Sequence, residues 1–291
     1  MSQKNHIDAS GVVMLTGFAA LFAFNQVVIK VSSDGFGPIF MAGVRSAGAF
    51  LFIFAFMTVR GISPVTPRSA WLGGLLLGMF FTLEFMALYV ALDRTSVSRA
   101  SILLYSMPVW LALISHLVLP DEKLTKDRVM GLSLAMLGVI IAISDRTAVQ
   151  YDLIGDLLAL FGAFCWAGIA LTVRLTAISY RSPELQLLWQ LGLSAPIMLF
   201  IAWGDGDTVR DVAPIHFWGL GFQIVLIGCF GFLLWFWLLK RYPTSGVASF
   251  SFLTPVLAVF FGWLILDEAI SVLTWVALGL VVFGLLLINR R

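Results

Sequence analysis

The sequence predicts an all-α membrane protein with ten transmembrane helices, arranged as two inverted repeats of five helices each. Three observations lead to this fold class. Of the 291 residues, 60% are hydrophobic and only 12% are charged, whereas a soluble domain carries about 25% charged residues. The apolar residues are gathered into ten runs, most of them long enough to cross a bilayer. One segment of the chain also occurs twice at a fixed offset.

The ten apolar runs are separated by short polar connections rich in glycine, proline and charged residues. An α-helix rises 1.5 Å per residue, so about twenty residues match a hydrocarbon thickness of roughly 30 Å. The first run exceeds the roughly 7 to 15 apolar residues of a cleaved signal, and we therefore interpret it as a membrane helix. In chain order the predicted spans are Val12–Val31, Pro38–Val59, Trp71–Leu92, Val97–Leu119, Val129–Ser144, Leu153–Ala177, Leu185–Trp203, Ile215–Leu239, Val247–Leu266 and Val272–Asn289.

The repeated segment is Pro108–Glu122 in the first half and Pro255–Glu268 in the second. In both copies a proline inside an apolar run is followed by an Asp-Glu pair. A glycine in the next apolar run follows sixteen residues after the glutamate, as Gly138 and Gly284. Agreement at a fixed offset over some fifty residues indicates an internal duplication.

The duplication divides the chain into residues 1–145 and 146–291, with five predicted spans in each. Because five is odd, the second copy must enter the membrane from the opposite face, so Asp121-Glu122 and Asp267-Glu268 are expected on opposite sides. With the amino terminus inside, twelve lysines and arginines fall on the cytoplasmic side and five on the outer side. Positive residues favour the cytoplasmic face, and both termini are therefore predicted to be cytoplasmic.

Inverted repeats give a protein two related arrangements around a site near the midplane, which is the architecture of transporters. The doubled Pro, Asp-Glu, Gly pattern resembles the EamA repeat of the drug/metabolite transporter superfamily. Phe22–Lys30 and Phe161–Arg174 resemble the starts of the two repeats, and Arg45 lies where many EamA proteins carry an arginine. Two departures are Phe22 and Phe24, which replace the family's common tryptophan and serine. Glu84 matches no family motif.

The resemblance covers nearly the whole chain. It implies ten helices in two inverted EamA units within a bacterial inner membrane. It also implies export of amino acids, other metabolites or toxic amphipathic compounds. The expected partners are therefore the lipid bilayer and a small-molecule substrate.

The candidate substrate path begins with one polar layer in the first half of the chain. Arg45 and Glu84 are the ionisable residues deep inside predicted spans, where a charge costs about 2.5 to 3.5 kcal/mol. Both lie roughly 10 to 12 Å below the outer boundary, at the level of Asn25, Gln26 and Tyr105. One hypothesis is that this layer lines the path and that Arg45 attracts a substrate carboxylate. The alternative is a buried Arg45–Glu84 ion pair that only holds helices together.

Glu84 is a candidate for taking up a coupling proton, because burial raises the pKa of a carboxyl group while a neighbouring arginine lowers it. The second half offers Trp166, Gln186, Trp189 and Gln190 as an amide and aromatic wall suited to an amphipathic metabolite such as an amino acid or an organic cation. Gln186 and Gln190 are four residues apart and so share a helix face. The alternative for both tryptophans is contact with lipid or the interface.

Pro108 and Pro255 are equivalent in the repeat, and each removes one backbone hydrogen bond inside a span. The pair is a candidate set of hinges for alternating access; static kinks are the alternative.

Other classes of function have less support in the sequence. No HExxH, GxSxG or CxxC pattern occurs, the three histidines are far apart, and no nucleotide-binding loop is present. We therefore predict no enzyme activity, no cofactor and no metal site. A net charge of +2 without a basic run interleaved with aromatics argues against nucleic acid. Two readings remain open beside export: an importer on the same scaffold, and a structural or assembly protein without transport.

Overall fold

The computed structural model describes residues 7–119, 125–145, 152–242, 250 and 252–288. The Asp121-Glu122 pair lies outside the described residues. Helices account for almost all of the regular structure in these ranges, and an isolated bridge joins Phe36 to Val209. The helices are α1 Ala9–Ser32, α2 Pro38–Val59, α3 Trp71–Arg94, α4 Val97–Leu104, α5 Met107–Val118, α6 Lys126–Ser144, α7 Leu153–Leu175, α8 Pro183–Asp205, α9 Pro214–Phe222, α10 Phe232–Arg241, α11 Leu253–Leu266 and α12 Val272–Ile288.

These helices follow the predicted spans closely, except in the length of the last two. Within the described residues, 8 helical segments are long and apolar enough to cross a membrane, when α4 and α5 are taken as one and the helical stretch Pro214–Trp235, from α9 into α10, is taken as another. The ninth and tenth predicted spans appear as two shorter apolar helices, α11 and α12. Continuous helix is expected in lipid, because every backbone N–H and C=O must find a partner within its own segment.

The contacts between helices are symmetric when the first five spans are exchanged with the last five. Helix α3 packs on α7, and correspondingly α1 packs on the eighth span, which contains α9 and α10. Helix α1 packs on α11, as α7 packs on α4 and α5. The contacts of α2 with α8, α4 with α11 and α6 with α12 each join equivalent helices of the two halves, and α3 packs on α8 as α2 packs on the eighth span.

Helices α6 and α12 cross at two glycines. A Cβ atom on Gly131 would lie 2.6 Å from the carbonyl oxygen of Gly284, and one on Gly284 would lie 2.5 Å from the carbonyl oxygen of Gly131. Small residues allow this close backbone approach, which supplies much of the packing energy between helices in lipid.

The fourth span is broken near its middle. Helix α4 ends at Leu104, and α5 begins at Met107 with Pro108 in its first turn, where the missing N–H costs nothing. In the second half, α11 begins at Leu253 and carries Pro255 in its first turn. The two candidate hinge prolines thus follow equivalent helix starts, and their hinge role stays a prediction.

The eighth span contains a second irregularity, a π-helical segment from Gln223 to Gly231 between α9 and α10. Gln223 is fully buried there, and its Oε1 accepts a hydrogen bond of 2.6 Å from the hydroxyl of Tyr89 on α3. Such segments often mark functional regions of helices.

Candidate functional site

Two ends of the bundle are distinguished by their polar contacts. At the amino-terminal end, the Tyr242 hydroxyl donates to Asp8 beside the start of α1, over 2.8 Å. At the opposite end, the Lys30 Nζ near the end of α1 donates to the carbonyl oxygen of Thr95, also over 2.8 Å. Helices α1 and α3 both finish at the opposite end, and α7 begins there, because Arg94 pairs with Asp152 at 2.9 Å.

A cavity of about 130 Å³, here called the deep chamber, lies between the two halves. It brings together six of the residues predicted from the sequence. Polar groups come from α1 and α3 on one side and from α8 on the other. Aromatic rings come from α1, α3, α7 and α10 and from the break between α4 and α5. Its lining includes Phe22, Asn25, Gln26, Phe81, Glu84, Phe85, Leu88, Leu104, Tyr105, Trp166, Gln190 and Phe232.

A wider cavity of about 370 Å³, here called the vestibule, shares Phe22, Tyr105, Trp166 and Phe232 with the deep chamber. Its lining runs from those residues to Arg174 near the end of α7. Since α7 begins at the opposite end, the vestibule leads from the deep chamber toward the amino-terminal end. The two cavities thus adjoin and extend together toward the amino-terminal end.

Glu84 is the carboxylate of the deep chamber. Its residue is 6% exposed, and its oxygens accept no hydrogen bond from the described residues. A buried carboxyl group without a hydrogen-bond partner is costly, so the arrangement favours a ligand or ion beside it.

Arg45 lies in the same layer but lines neither cavity. It is fully buried, and its three side-chain nitrogens have no hydrogen-bond partner among the described residues. Its guanidinium carbon lies 4.0 Å from the ring centroid of Phe85 and 5.7 Å from those of Phe81 and Tyr89. The arginine is therefore held by aromatic faces, and the Arg45–Glu84 ion pair considered from the sequence is not formed in this structure.

The amides of the deep chamber differ in how they are held. The Gln26 Oε1 accepts a hydrogen bond of 2.7 Å from the Ser101 hydroxyl on α4. The Gln190 Nε2 donates to the Gln186 carbonyl oxygen over 3.2 Å. The buried Asn25 Oδ1 has no hydrogen-bond partner within the described part of the chain.

Two residues predicted to line the path lie elsewhere. The Gln186 Nε2 donates to the carbonyl oxygens of Ile178 and Arg181, at the start of α8. The Trp189 Nε1 donates to Thr66 Oγ1 over 2.9 Å, in the connection between α2 and α3. These contacts lie at the amino-terminal end and away from the deep chamber. A direct role of Gln186 and Trp189 in the path stays a prediction without a contact to support it.

Tyr105 and Trp166 form the junction of the two cavities. Their rings meet edge to face with centroids 5.5 Å apart, a favourable aromatic geometry. Phe22 and Phe232, which the sequence reasoning missed as site residues, complete this junction with centroids 6.3 Å apart. A signal for Phe22 existed, because it occupies the position of the family's tryptophan, which Trp166 fills in the second repeat.

The opposite end is closed by a buried polar cluster that we call the seal. Arg99 on α4 forms an ion pair with Asp156 on α7, with side-chain exposures of 1% and 0%. The Arg99 Nη1 also donates to the carbonyl oxygen of Asp145 over 2.8 Å, and the Thr95 hydroxyl donates to Asp156 over 3.0 Å. Asp145 accepts a further hydrogen bond from Ser271, which precedes α12. The ends of α3 and α6 and the starts of α4, α7 and α12 are therefore joined.

Glu268 extends the seal from the second repeat to the first. Its carboxylate accepts from the backbone N–H of Val97 over 2.6 Å and from that of Ser98 over 3.1 Å. The Ser98 hydroxyl adds a third hydrogen bond of 2.5 Å. An acidic group at a helix N-terminus is stabilised by the unpaired N–H groups and the helix dipole, so α4 is attached to the segment that follows α11.

Partly exposed charges surround the seal. Arg210, between α8 and α9, contacts Asp93 at 2.8 Å and Asp207 at 2.7 Å, and donates to the Ser33 carbonyl oxygen. The hydrogen bonds from Arg210 lower the pKa of the Asp207 carboxyl. At Asp152, the hydrogen bond from the Gly155 N–H lowers the carboxyl pKa, and Arg94 adds to the effect. These exposed pairs contribute little energy each, about 0 to 1 kcal/mol.

The fold and the cavities define a multi-pass membrane protein with two adjoining internal cavities between two symmetric halves. Comparison with known proteins makes this more specific. The model of the EamA-like transporter family matches residues 9–144 and again residues 153–290. The chain belongs to the EamA-like transporter family, within the drug/metabolite transporter superfamily. It is therefore a membrane transporter by family, and neither the family name nor the names of its relatives are those of enzymes.

Curated relatives are similar over almost their whole length. The uncharacterized transporter YoaV of Bacillus subtilis is 26% identical, covering 90% of this chain and 89% of the relative. A protein of Escherichia coli named a probable amino-acid metabolite efflux pump is 27% identical, covering 98% and 94%. The uncharacterized inner membrane transporter YedA of Escherichia coli is 23% identical, covering 95% and 91%. A solved crystal structure superposes with a TM-score of 0.67 at 19% identity over 96% of both chains, which supports the fold.

Proposed function

We propose that this protein is a secondary transporter of the inner membrane that exports small amphipathic metabolites by alternating access between two inverted halves. Both termini lie in the cytoplasm in this proposal, so the amino-terminal end is the cytoplasmic end. The observation that carries the proposal is the asymmetry of the path. The deep chamber continues into the vestibule toward the amino-terminal end, while the seal closes the opposite end.

This asymmetry matches one state of an alternating-access cycle, in which a solute enters from the cytoplasm and binds at the midplane. Opening of the opposite end requires the Arg99–Asp156 pair and the Glu268 contacts to separate. The helix break after Leu104 and the turn before Pro255 are the positions at which the two halves can bend. Export is supported by the printed name of one relative, an amino-acid metabolite efflux pump.

A growth assay tests the proposal directly. Cells that express the protein are exposed to a panel of amino acids, polyamine-like cations and toxic analogues. We expect resistance to at least one compound, because an exporter lowers its concentration inside the cell. Sensitisation indicates an importer instead, and no change with any compound supports a structural role.

Two tryptophan variants make the assay specific to the path. Trp166 lines both cavities, whereas Trp203 is 76% exposed on the outside of α8. We expect Trp166→Ala to lose the resistance and Trp203→Ala to keep it at equal expression. Equal resistance in the two variants would show that the deep chamber and the vestibule are not part of the transport path.

A further inference from the structure

We propose that the deep chamber binds the ammonium group of an organic monocation, with Glu84 as its counter-ion and the ligand's apolar body in the vestibule. This substrate class rests on the proposed transport function. It differs from a carboxylate ligand attracted by Arg45, which the sequence alone suggested.

The charged group that lines the deep chamber is an acceptor. The Glu84 carboxylate is 6% exposed and accepts no hydrogen bond from the described residues. An acceptor without a donor in an apolar cavity favours a ligand that donates, and a carboxylate favours a donor with a positive charge.

The aromatic lining favours the same ligand. Phe22, Phe81, Trp166 and Phe232 present rings to the deep chamber, together with Tyr105 at the helix break. Ring faces attract a cation within about 6 Å, and this attraction is strongest where water is excluded. A carboxylate ligand would be repelled by both the ring faces and Glu84.

The basic residues near the path do not offer an anion site in the deep chamber. The Arg45 guanidinium lies 4.0 Å from the Phe85 ring centroid and lines neither cavity. Its charge therefore acts on Glu84 only through space. Arg174 lines the vestibule, but it is eight residues beyond Trp166 on α7, about 12 Å along the helix. An anionic group at Glu84 would have no cation within hydrogen-bond reach.

The volumes of the two cavities fit a ligand with a small polar head and a larger apolar body. The deep chamber holds about 130 Å³, roughly the space of four water molecules at about 30 Å³ each. An ammonium group with its first carbons fills such a space. The vestibule offers about 370 Å³ beside Phe22, Trp166 and Trp235, enough for an aromatic or aliphatic body.

Three probes of similar shape test the proposal in purified protein held in lipid nanodiscs: 2-phenylethylamine, 2-phenylethanol and 3-phenylpropionate. Binding is measured by calorimetry. We expect the amine to bind at least about tenfold more tightly than the alcohol, which corresponds to about 1.4 kcal/mol. We expect the propionate to bind most weakly. Tighter binding of the propionate, or no binding of the amine at millimolar concentration, overturns the proposal.

Variants identify the counter-ion. We expect Glu84→Gln to weaken amine binding about tenfold or more while the affinity for the alcohol is unchanged, which also shows that the variant is folded. Glu84→Asp should keep the preference for the amine. The control is Glu184→Gln, which removes another buried carboxylate, at the start of α8 and outside both cavities, and should leave all three affinities unchanged. Equal amine binding by the wild type and Glu84→Gln overturns the role of Glu84.

Flux measurements separate this inference from the proposed function. Selective binding of the amine without its movement into proteoliposomes would refute the proposed transport function and support the cation site. Movement of the alcohol and the propionate as fast as the amine would support the transport function and refute the cation site.

Discussion

Removing one charge from the seal should open the opposite end. Arg99 and Asp156 are buried to 1% and 0% exposure, and breaking a buried pair by removing one partner costs about 3 to 5 kcal/mol. In Asp156→Asn, the unpaired Arg99 destabilises the sealed state but not the open state, because Arg99 reaches water once the end opens. Each 1.4 kcal/mol changes an equilibrium tenfold. The population with an open seal should therefore rise by about 100-fold or more.

Cysteine labelling measures this opening. Leu88 is 5% exposed and lines the deep chamber on α3, so a Leu88→Cys probe reports access to the chamber. Cys165 and Cys229, both buried, are first replaced by alanine. A membrane-impermeant maleimide is then applied from the side of the opposite end. When the open state is rare, the labelling rate follows its population, and we expect the rate to rise about 100-fold in Asp156→Asn.

Asp152→Asn is the matched control. Asp152 pairs with Arg94 at the same end, but the two side chains are 28% and 41% exposed, so the pair contributes at most about 1 kcal/mol. Asparagine also keeps the cap at the start of α7. Labelling in this variant should rise by no more than about fivefold. Equal labelling rates in Asp156→Asn and Asp152→Asn would refute the idea that the buried pair closes the path.

Three further predictions concern packing, acid stability and orientation. Gly284→Leu should lower the melting temperature, because overpacking at the α6–α12 crossing costs about 1 to 3 kcal/mol. A Cβ atom on Gly279 of the same helix would meet nothing within 4 Å, so Gly279→Leu should leave the melting temperature unchanged. Asp207→Asn should lower stability slightly at pH 7. The difference should shrink as the pH falls below about 4 and vanish only below the lowered pKa of the folded protein, because a lowered carboxyl pKa stabilises the fold fully only above the pKa of the unfolded chain. Without the native cysteines, Ser63→Cys and Ala269→Cys should react with impermeant reagents from opposite faces of the membrane; labelling from one face would contradict the inverted arrangement.

Much of the fold follows from hydropathy. The polar layer of Asn25, Gln26, Glu84 and Tyr105 could also be located by counting residues from the span ends, because helix rise is constant. Depth is fixed by the sequence in this way, but rotation about the helix axis is not. Arg45 has the right depth, yet its side chain packs on the aromatic rings of α3 and does not line the cavity.

Features that depend on several helices at once were not predictable from local patterns. Gln186 and Gln190 share a face by spacing, but Gln186 bonds to carbonyl oxygens before its own helix while Gln190 lines the deep chamber. Arg99 lies at the start of the fourth predicted span, and its burial arises only where five helix ends meet. The π-helical segment after Phe222 has no composition signal at all.

The position of Arg45 also bears on how the protein is made. Inserted alone, α2 would carry its arginine into the lipid, and α3 would carry Glu84, each against a penalty of about 2.5 to 3.5 kcal/mol at the helix centre. The guanidinium is covered by the rings of Phe81, Phe85 and Tyr89, all on α3. If the two helices leave the translocon together, α3 covers the charge that α2 carries, so this hairpin is expected to be the unit of biosynthetic insertion.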